Sequence, residues 1–356
     1  MKTRAIIHLA AIAHNLNTVR RLAPGSQIMA VVKADAYGHG ATSLLPTLET
    51  HTDALAVARI GEAQALRNAG YCGRLLLLCG VSNETELSEA LSLQLDIVAH
   101  DNTHLAVFAN HPIPAPLKTT VWLKMDTGMH RLGFSPQEYA NAFHTLKQLT
   151  WCKAVFGMTH FASSDELDNP KTPQQIRCYE QHTAGLLLDD HSLANSGGII
   201  AWPDSRKGWV RPGLMMYGIN PVDSLDIDLQ PVMQLEAQII GMKTIAKGET
   251  TGYNEQWRAQ RETRIAFIAA GYADGYPVTA INNSVVAING ERAPVIGRVS
   301  MDTIAIDCTD CATATVGNWA ELWGNTISVS EVAKAAGSIP YQLLTNVSQR
   351  VTRLYH

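Results

Sequence analysis

Ala30-Val31-Val32-Lys33-Ala34-Asp35-Ala36-Tyr37-Gly38-His39-Gly40 is an apolar run that ends in a lysine and passes at once into a tyrosine and two glycines. A strand buried in a sheet should not end in an ammonium group without a reason, because lysine is almost never buried unpaired and desolvating its charge is costly. One outlet is covalent. A Schiff base with an aldehyde cofactor consumes the amine, and the glycines behind Lys33 leave room for a phosphate.

Working outward, short apolar β-rich runs alternate with longer helical patterns from about residue 27 to 220. The strand-like runs are residues 28–33, 54–59, 75–79, 96–100, 120–125, 155–160, 192–195 and 210–217. Helical patterns at 60–69, 84–93, 136–149 and 173–188 separate several of them, with Ser82 before one helix and Ser135-Pro136 opening another. Eight such units, with no GxGxxG, favour a (β/α)8 TIM-type barrel over a doubly wound sheet. After about residue 230 the rhythm becomes strand-like at 232–245, 264–270, 284–289, 293–307 and 319–323, with only 330–336 helical. The expected organisation is an α/β barrel over 1–225 and a mostly β C-terminal domain over 226–356. The first few residues are free to pair with the second domain.

The 356 residues are 46% hydrophobic and 17% charged, as in an ordinary folded protein, and the net charge of −4 gives no basic footprint for nucleic acid or anionic membrane. No apolar run approaches the roughly 18 residues needed to cross a bilayer. Lys2 and Arg4 before residues 5–13 faintly resemble a signal peptide, but the segment is short and His8 interrupts it, so a cytoplasmic location is expected. Six cysteines include the lone pair Cys308-Thr309-Asp310-Cys311, read as incidental thiols, and no metal centre is expected.

Catalysis in a barrel sits where strands meet their C-terminal loops. Five signals fall there: Lys33; Lys124 before Met125-Asp126-Thr127-Gly128-Met129-His130-Arg131-Leu132-Gly133; His160; Asn195-Ser196-Gly197-Gly198; and Arg211-Pro212-Gly213-Leu214. Each has a bland reading, such as a snorkelling lysine, a core histidine, a surface arginine or an ordinary N-cap. Their recurrence at one end of five strands favours a site, and the small hydroxyl and glycines of 195–198 suit a phosphate cradle.

Together, AVVKADAYGHG, LKMDTGMHRLG, THFA, NSGG and VRPG resemble the fold-type III alanine racemases, which use pyridoxal 5'-phosphate. Gly252-Tyr253-Asn254, Gly271-Tyr272-Ala273-Asp274-Gly275 and Gly297-Arg298-Val299-Ser300-Met301-Asp302 continue the match into the second domain. The resemblance implies that Lys33 carries the cofactor as an aldimine and serves as one base, and that Tyr253 is the other. Free tyrosine and lysine titrate near about 10 and about 10.4, so both would need tuning downward. It implies that Tyr37, Asn195 and Ser196, with amides near Gly213 and Leu214, bind the phosphate end. Arg211 would face the pyridine nitrogen, His160 would position it, and Arg131 would contact the phenolic oxygen and the substrate carboxylate. Lys124 aligns with a lysine often carbamylated. Met301 and Asp302 would lie near the substrate, and Tyr272 would gate its path. The implied partners are a small amino acid and a second copy of the chain, in a homodimer with composite sites. Three departures stand out: Asp35 where relatives commonly have Asn, expected at a helix start or in solvent; Gln349 where some place a tyrosine; and Thr352 for a proline.

Overall fold

The computed structural model describes residues 2–110, 118–280 and 283–356. The chain divides into two compact units, Ala13–Ala36 with Ala41–Leu229, and Met1–Ile12 with Tyr37–Gly40 and Gln230–His356. Strand β1 (Thr3–Ile7) belongs to the latter.

Eight parallel strands build the larger unit: β2 (Gln27–Val31), β3 (Ala54–Val57), β4 (Arg74–Leu77), β5 (Asp96–Ala99), β6 (Thr119–Lys124), β7 (Cys152–Met158), β8 (Asp190–Ser192) and β9 (Trp209–Val210). Their order, β8-β7-β6-β5-β4-β3-β2-β9, follows the chain and brings the last strand beside the first. Between β8 and β9 the seam is held by Ser192 Oγ donating to Trp209 O (2.6 Å) and Arg211 N donating to Ala194 O (2.9 Å). This is the expected (β/α)8 barrel. Every residue of β3 and β5 is buried, which is why such strands read as unbroken apolar runs. Inside, the small Ala54 and Ala56 share the space with Trp122 and Trp209, whose rings lie 5.8 Å apart. At the strands' N-terminal ends, Arg74 Nε donates to Asp96 Oδ2 (2.6 Å), which also accepts from Trp122 Nε1 (2.9 Å). Charge is thus neutralised at that end, in contrast to the opposite rim.

Local chemistry shifts several boundaries. Strand β2 stops at Val31, so Lys33 lies beyond the strand rather than at its last position. Strand β9 is only Trp209–Val210, so of the expected strand 210–217 it keeps Val210 alone, because Pro212 has no N–H to donate and a 3-10 turn follows over Leu214–Tyr217. The helix Glu84–Ser92 is capped by Asn83, whose side chain accepts from Glu86 N (3.0 Å), not by Ser82. At Ser135-Pro136 the expected start holds, with Ser135 and Glu138 forming a capping box.

The second unit is a mostly β structure of β1, β10 (Met233–Ile245), β11 (Thr250–Thr251), β12 (Trp257–Arg258), β13 (Thr263–Ile268), β14 (Val285–Ile288), β15 (Glu291–Ile296), β16 (Ile304–Asp307), β17 (Trp319–Trp323) and β18 (Thr352–Tyr355). The early part of the long strand β10 pairs with β17 and its later part with β13, which closes a ring through β16, β15 and β14. Strand β1 pairs antiparallel with β10 and parallel with β18. The single strand expected over 293–307 is a hairpin. Gly297 (φ 62°) turns the chain, and a Cβ there would meet Thr251 O at 3.0 Å. The helix Pro340–Asn346 had no clear sequence signal. No helix among the described residues is long and apolar enough to cross a membrane. All six cysteines are free, and Cys308 and Cys311 are buried.

Candidate active site

Beyond β2, Val32 N still donates to Ala56 O (2.9 Å), and then the backbone reverses hand. Ala34, Asp35, Ala36 and Tyr37 all have φ of 52–53°, a left-handed turn of four non-glycine residues. Each such residue costs about 1–2 kcal/mol, so the surroundings must hold the turn. Glu62 does part of this. Its Oε1 accepts from Ala34 N (2.6 Å), while Oε2 accepts from Ala58 N (2.8 Å) and Arg59 N (3.0 Å). Asp35 points away from the amine, its Oδ1 accepting from Ala41 N (2.7 Å) at the start of the 3-10 helix Ala41–Leu44. Lys33 is exposed at the top of this turn, so the desolvation argument that first singled it out does not apply to it.

Glu62→Ala should lower turnover and loosen cofactor retention, because three backbone donors and the turn after Lys33 lose their shared acceptor. Glu62→Gln, with one acceptor oxygen left, should fall between. Turnover and cofactor content of the three proteins check this; equal values in all of them would exclude Glu62 from placing Lys33.

A second fixed loop follows β6. Asp126 Oδ1 accepts from the amides of Gly128 (2.9 Å), Met129 (2.9 Å) and His130 (3.0 Å). Burial pulls the Asp126 pKa up, but these amides and the nearby His130 outweigh it and hold the carboxyl below its ordinary range. Gly133 (φ 138°) lets the loop return: a Cβ there would meet Asp126 N at 2.5 Å. Buried Gln175 ties this loop to the next strand end, donating to Thr127 Oγ1 (3.0 Å) and His160 O (3.0 Å) and accepting from Ala162 N (2.9 Å). The loop carries Arg131, exposed and without a carboxylate partner among the described residues.

Arg211 is buried, yet among the described residues no carboxylate meets it. Its guanidinium donates to Ser192 O (2.9 Å), Ser192 Oγ (2.5 Å), Thr159 O (2.6 Å) and His160 Nδ1 (3.4 Å). Burial pushes its pKa down to about 10, still charged at neutral pH. His160 is held well below its ordinary value by burial and then by Arg211, Lys124, Arg131 and Lys33. It is therefore neutral, and since Nδ1 accepts from Arg211, Nε2 carries the proton. Lys124 is pushed down to about 8 by burial and then by Arg211 and Arg131. The fold thus gathers Lys33, Lys124, Arg131, His160 and Arg211 on one rim.

At the seam, Asn195 caps the helix Ser196–Ala201 by accepting from Gly198 N (3.0 Å) and from Ser164 Oγ (2.8 Å). Buried Ser196 Oγ accepts from Gly213 N (3.1 Å) and Met215 N (3.3 Å). With its lone pairs so used, the hydroxyl proton is left to donate to an anion. A Cβ at Gly197 would meet Ser164 Oγ at 2.6 Å, so only glycine fits there. The cation-rich rim and this donor fit a phosphorylated, anionic aromatic cofactor.

The other expected residues lie in the second unit. Tyr37 is buried, its rings 5.6 Å from Tyr341, and burial followed by Tyr341 raises its pKa. Tyr253, Tyr272 and Met301 are 67%, 45% and 52% exposed. Tyr272 N donates to Ser300 O (3.1 Å) and Ala273 N to Met301 O (3.1 Å), so the Tyr272 and Met301 turns are tied together. Arg350 joins them, donating to Asp302 Oδ1 (2.6 Å) and to the buried Asp274 Oδ1 (3.0 Å). Sequence reasoning missed Glu62, Gln175, Ser164 and Arg350. Asp126-Thr127-Gly128 carried a readable signal, an Asx turn.

A family model described as alanine racemase, N-terminal domain, matches residues 7–221, and one described as alanine racemase, C-terminal domain, matches residues 232–355. The catabolic alanine racemase of Pseudomonas putida is 43% identical over 355 residues, 99% of this chain and 98% of that protein. An alanine racemase of Aeromonas hydrophila is 44% identical over 360 residues, again 99% and 98%. Among solved structures, the biosynthetic alanine racemase of Pseudomonas aeruginosa superposes with a TM-score of 0.96 at 40% identity, over 100% of this chain and 99% of that one. The Bartonella henselae alanine racemase, with covalently bound pyridoxal phosphate, gives 0.92 at 28% identity over 100% of both chains.

Proposed function

Because the chain belongs to the alanine racemase family, whose members depend on pyridoxal phosphate, we propose that it interconverts L-alanine and D-alanine with Lys33 and Tyr253 as the two bases. The observation that carries this reading is the rim of Lys33, Lys124, Arg131 and Arg211 around a neutral His160. Pyridoxal phosphate, when bound, supplies the electron sink that acidifies the substrate's Cα–H. The protein's residues do the rest. Ser196 and the Leu214 amide would hold the phosphate, with Asn195 fixing the helix start, the Gly213 amide donating to Ser196 Oγ so as to orient it, and Tyr37 as the further contact the resemblance implies. Arg211, anchored by carbonyls and kept charged, would sit at the pyridine nitrogen and give up no proton to it. His160 donates nothing to Arg211 but accepts from it, which fixes the guanidinium plane. Arg131 takes the substrate carboxylate. Lys33 moves a proton on one face of Cα and Tyr253 on the other.

Tyr253, Tyr272, Met301 and Asp302 reach this site from a second copy of the chain in a homodimer. Their exposure on one unit supports the reading, since apolar and aromatic residues left in solvent mark a surface with a partner. A serine or broad-specificity racemase would use the same machinery, and one group in a pocket discriminates by only about 1–3 kcal/mol. A basic amino-acid decarboxylase would need an acid at the pyridine nitrogen. Arg211 argues against it, and the β domain bearing Tyr253 argues against a non-catalytic carrier. A polarimetric assay across L-alanine, L-serine and L-lysine tests the reading: rapid loss of rotation with L-alanine is expected. Carbon dioxide release from L-lysine with no effect on alanine would overturn it.

Lys124 becomes a carbamate in this reading. The neutral amine attacks carbon dioxide, forming an N–C bond and losing one proton, and the product anion offsets Arg131 and Arg211. Only the unprotonated amine reacts, so incorporation should rise as pH increases through about 8. Carbon-13 NMR at fixed dissolved labelled carbon dioxide checks this. A carbamate signal is expected in the native protein, absent from Lys124→Met and declining toward pH 6.

A further inference from the structure

On the same rim, where β5 gives way to the helix Asn102–Asn110, the sequence His100-Asp101-Asn102-Thr103-His104 brings two imidazoles and a carboxylate together. We propose that His100, Asp101 and His104 form a binding site for a divalent transition-metal cation such as Zn2+, Ni2+ or Cu2+, separate from the cofactor site. One nitrogen or oxygen from each residue lies within 4.8 Å of the others. The hydrogen bonds around them say which atoms remain for a ligand.

Asp101 Oδ1 is fully used. It accepts from the amides of Thr103 (2.8 Å) and His104 (3.1 Å) and from the Thr103 hydroxyl (2.5 Å), capping the helix. That leaves Oδ2, which faces His100 Nδ1 at 3.2 Å. On the other side of the ring, His100 Nε2 meets Cys79 O at 3.2 Å, an acceptor that only a protonated nitrogen can satisfy. In the neutral ring the lone pair is therefore on Nδ1, pointing at a carboxylate oxygen. Two acceptors facing each other require a positive charge between them, supplied by a second ring proton or by a metal. A third group stands beside them. The buried His104 ring has its centroid 4.1 Å from that of His100, and its Nδ1 accepts from the His100 amide (3.4 Å), which leaves Nε2 as the atom it can offer a cation.

The His100–Asp101 pair has the spacing of two ligands on one ion. Tetrahedral ligands at about 2.0–2.1 Å from zinc are roughly 3.3 Å apart, close to the 3.2 Å between His100 Nδ1 and Asp101 Oδ2. The bond from His100 Nε2 to a backbone carbonyl is the outer partner that ligating histidines have, fixing tautomer and ring plane. Two imidazoles with one carboxylate suit borderline metals and not Mg2+ or Ca2+, which take oxygen alone. Water completes the coordination. Bound there, the cation ties the Cys79 turn after β4 to the end of β5.

The test uses the tag-free holoenzyme with Cys72 and Cys79, the exposed thiols, replaced by Ser. Calorimetric titration with Zn2+ should show one equivalent bound at micromolar or tighter affinity. His100→Gln and Asp101→Asn should each weaken it at least about 100-fold, and Asn keeps the helix cap, so folding is preserved. With Cu2+, electron paramagnetic resonance should show coupling to two imidazole nitrogens. Absence of a one-equivalent site tighter than about 100 μM, or binding unchanged in either variant, would overturn the proposal.

Discussion

Lys33→Ala should remove the long-wavelength absorbance of the covalently held cofactor and lower racemisation by at least about 10⁴-fold, the scale of losing a nucleophile and a base at once. The rim holds a second amine, Lys124, before carbon dioxide adds to it. Lys124 is pushed down to about 8, so near neutrality more of it is unprotonated than of an ordinary lysine. On reactivity alone it rivals Lys33. Position separates them. Lys124 is the last residue of β6, half-buried between Arg211 and Arg131, where an added cofactor ring has little room to swing. Lys33 stands exposed on a left-handed turn pinned by Glu62, free to join the cofactor and to leave it when substrate arrives. Borohydride reduction followed by peptide mapping should place the cofactor on the Lys33 peptide. Cofactor found on Lys124, or an unchanged spectrum in purified Lys33→Ala, would reverse the assignment.

The barrel was legible because a parallel sheet covered on both faces must be apolar throughout, and such runs stand out between helical patterns. The rim was legible because Lys124, His160 and Arg211 interrupt or end those runs. What escaped was the apparatus that holds them. Gln175 looks like any polar residue of an amphipathic helix, and only the fold brings it to Thr127, His160 and Ala162. Glu62 is three residues into its helix, where a carboxylate is expected anyway for the dipole, so its bond to Ala34 left no trace. The hairpin was hidden because Gly297 is the only glycine, with no proline, in the connection 297–303 between its two strands. Electrostatics was the least legible level. Lys33 was singled out as a buried charge and is exposed, whereas Arg211, the buried one, was singled out for its motif.

Tyr253→Phe should lower racemisation by about 10²–10⁴-fold while leaving the cofactor spectrum intact, since only a phenolic proton carrier is lost. The direction of turnover cannot diagnose its role. L- and D-alanine are mirror images with an equilibrium constant of one, so kcat/KM falls equally both ways. Isotope exchange can. If Lys33 works the D face alone, the variant should still exchange the α-proton of D-alanine for solvent deuterium, with retention, and should fail to exchange that of L-alanine. Proton NMR in deuterium oxide reads both. The same variant locates the tyrosine. Tyr253 is 67% exposed on its own chain, as expected for a group that works in a partner's site. Mixing inactive Tyr253→Phe and Lys33→Ala chains under conditions that exchange subunits makes half the dimers hybrid. Each hybrid has one site with both substitutions and one with neither. About a quarter of native activity should return if Tyr253 acts across the dimer, and none if it acts within its own chain.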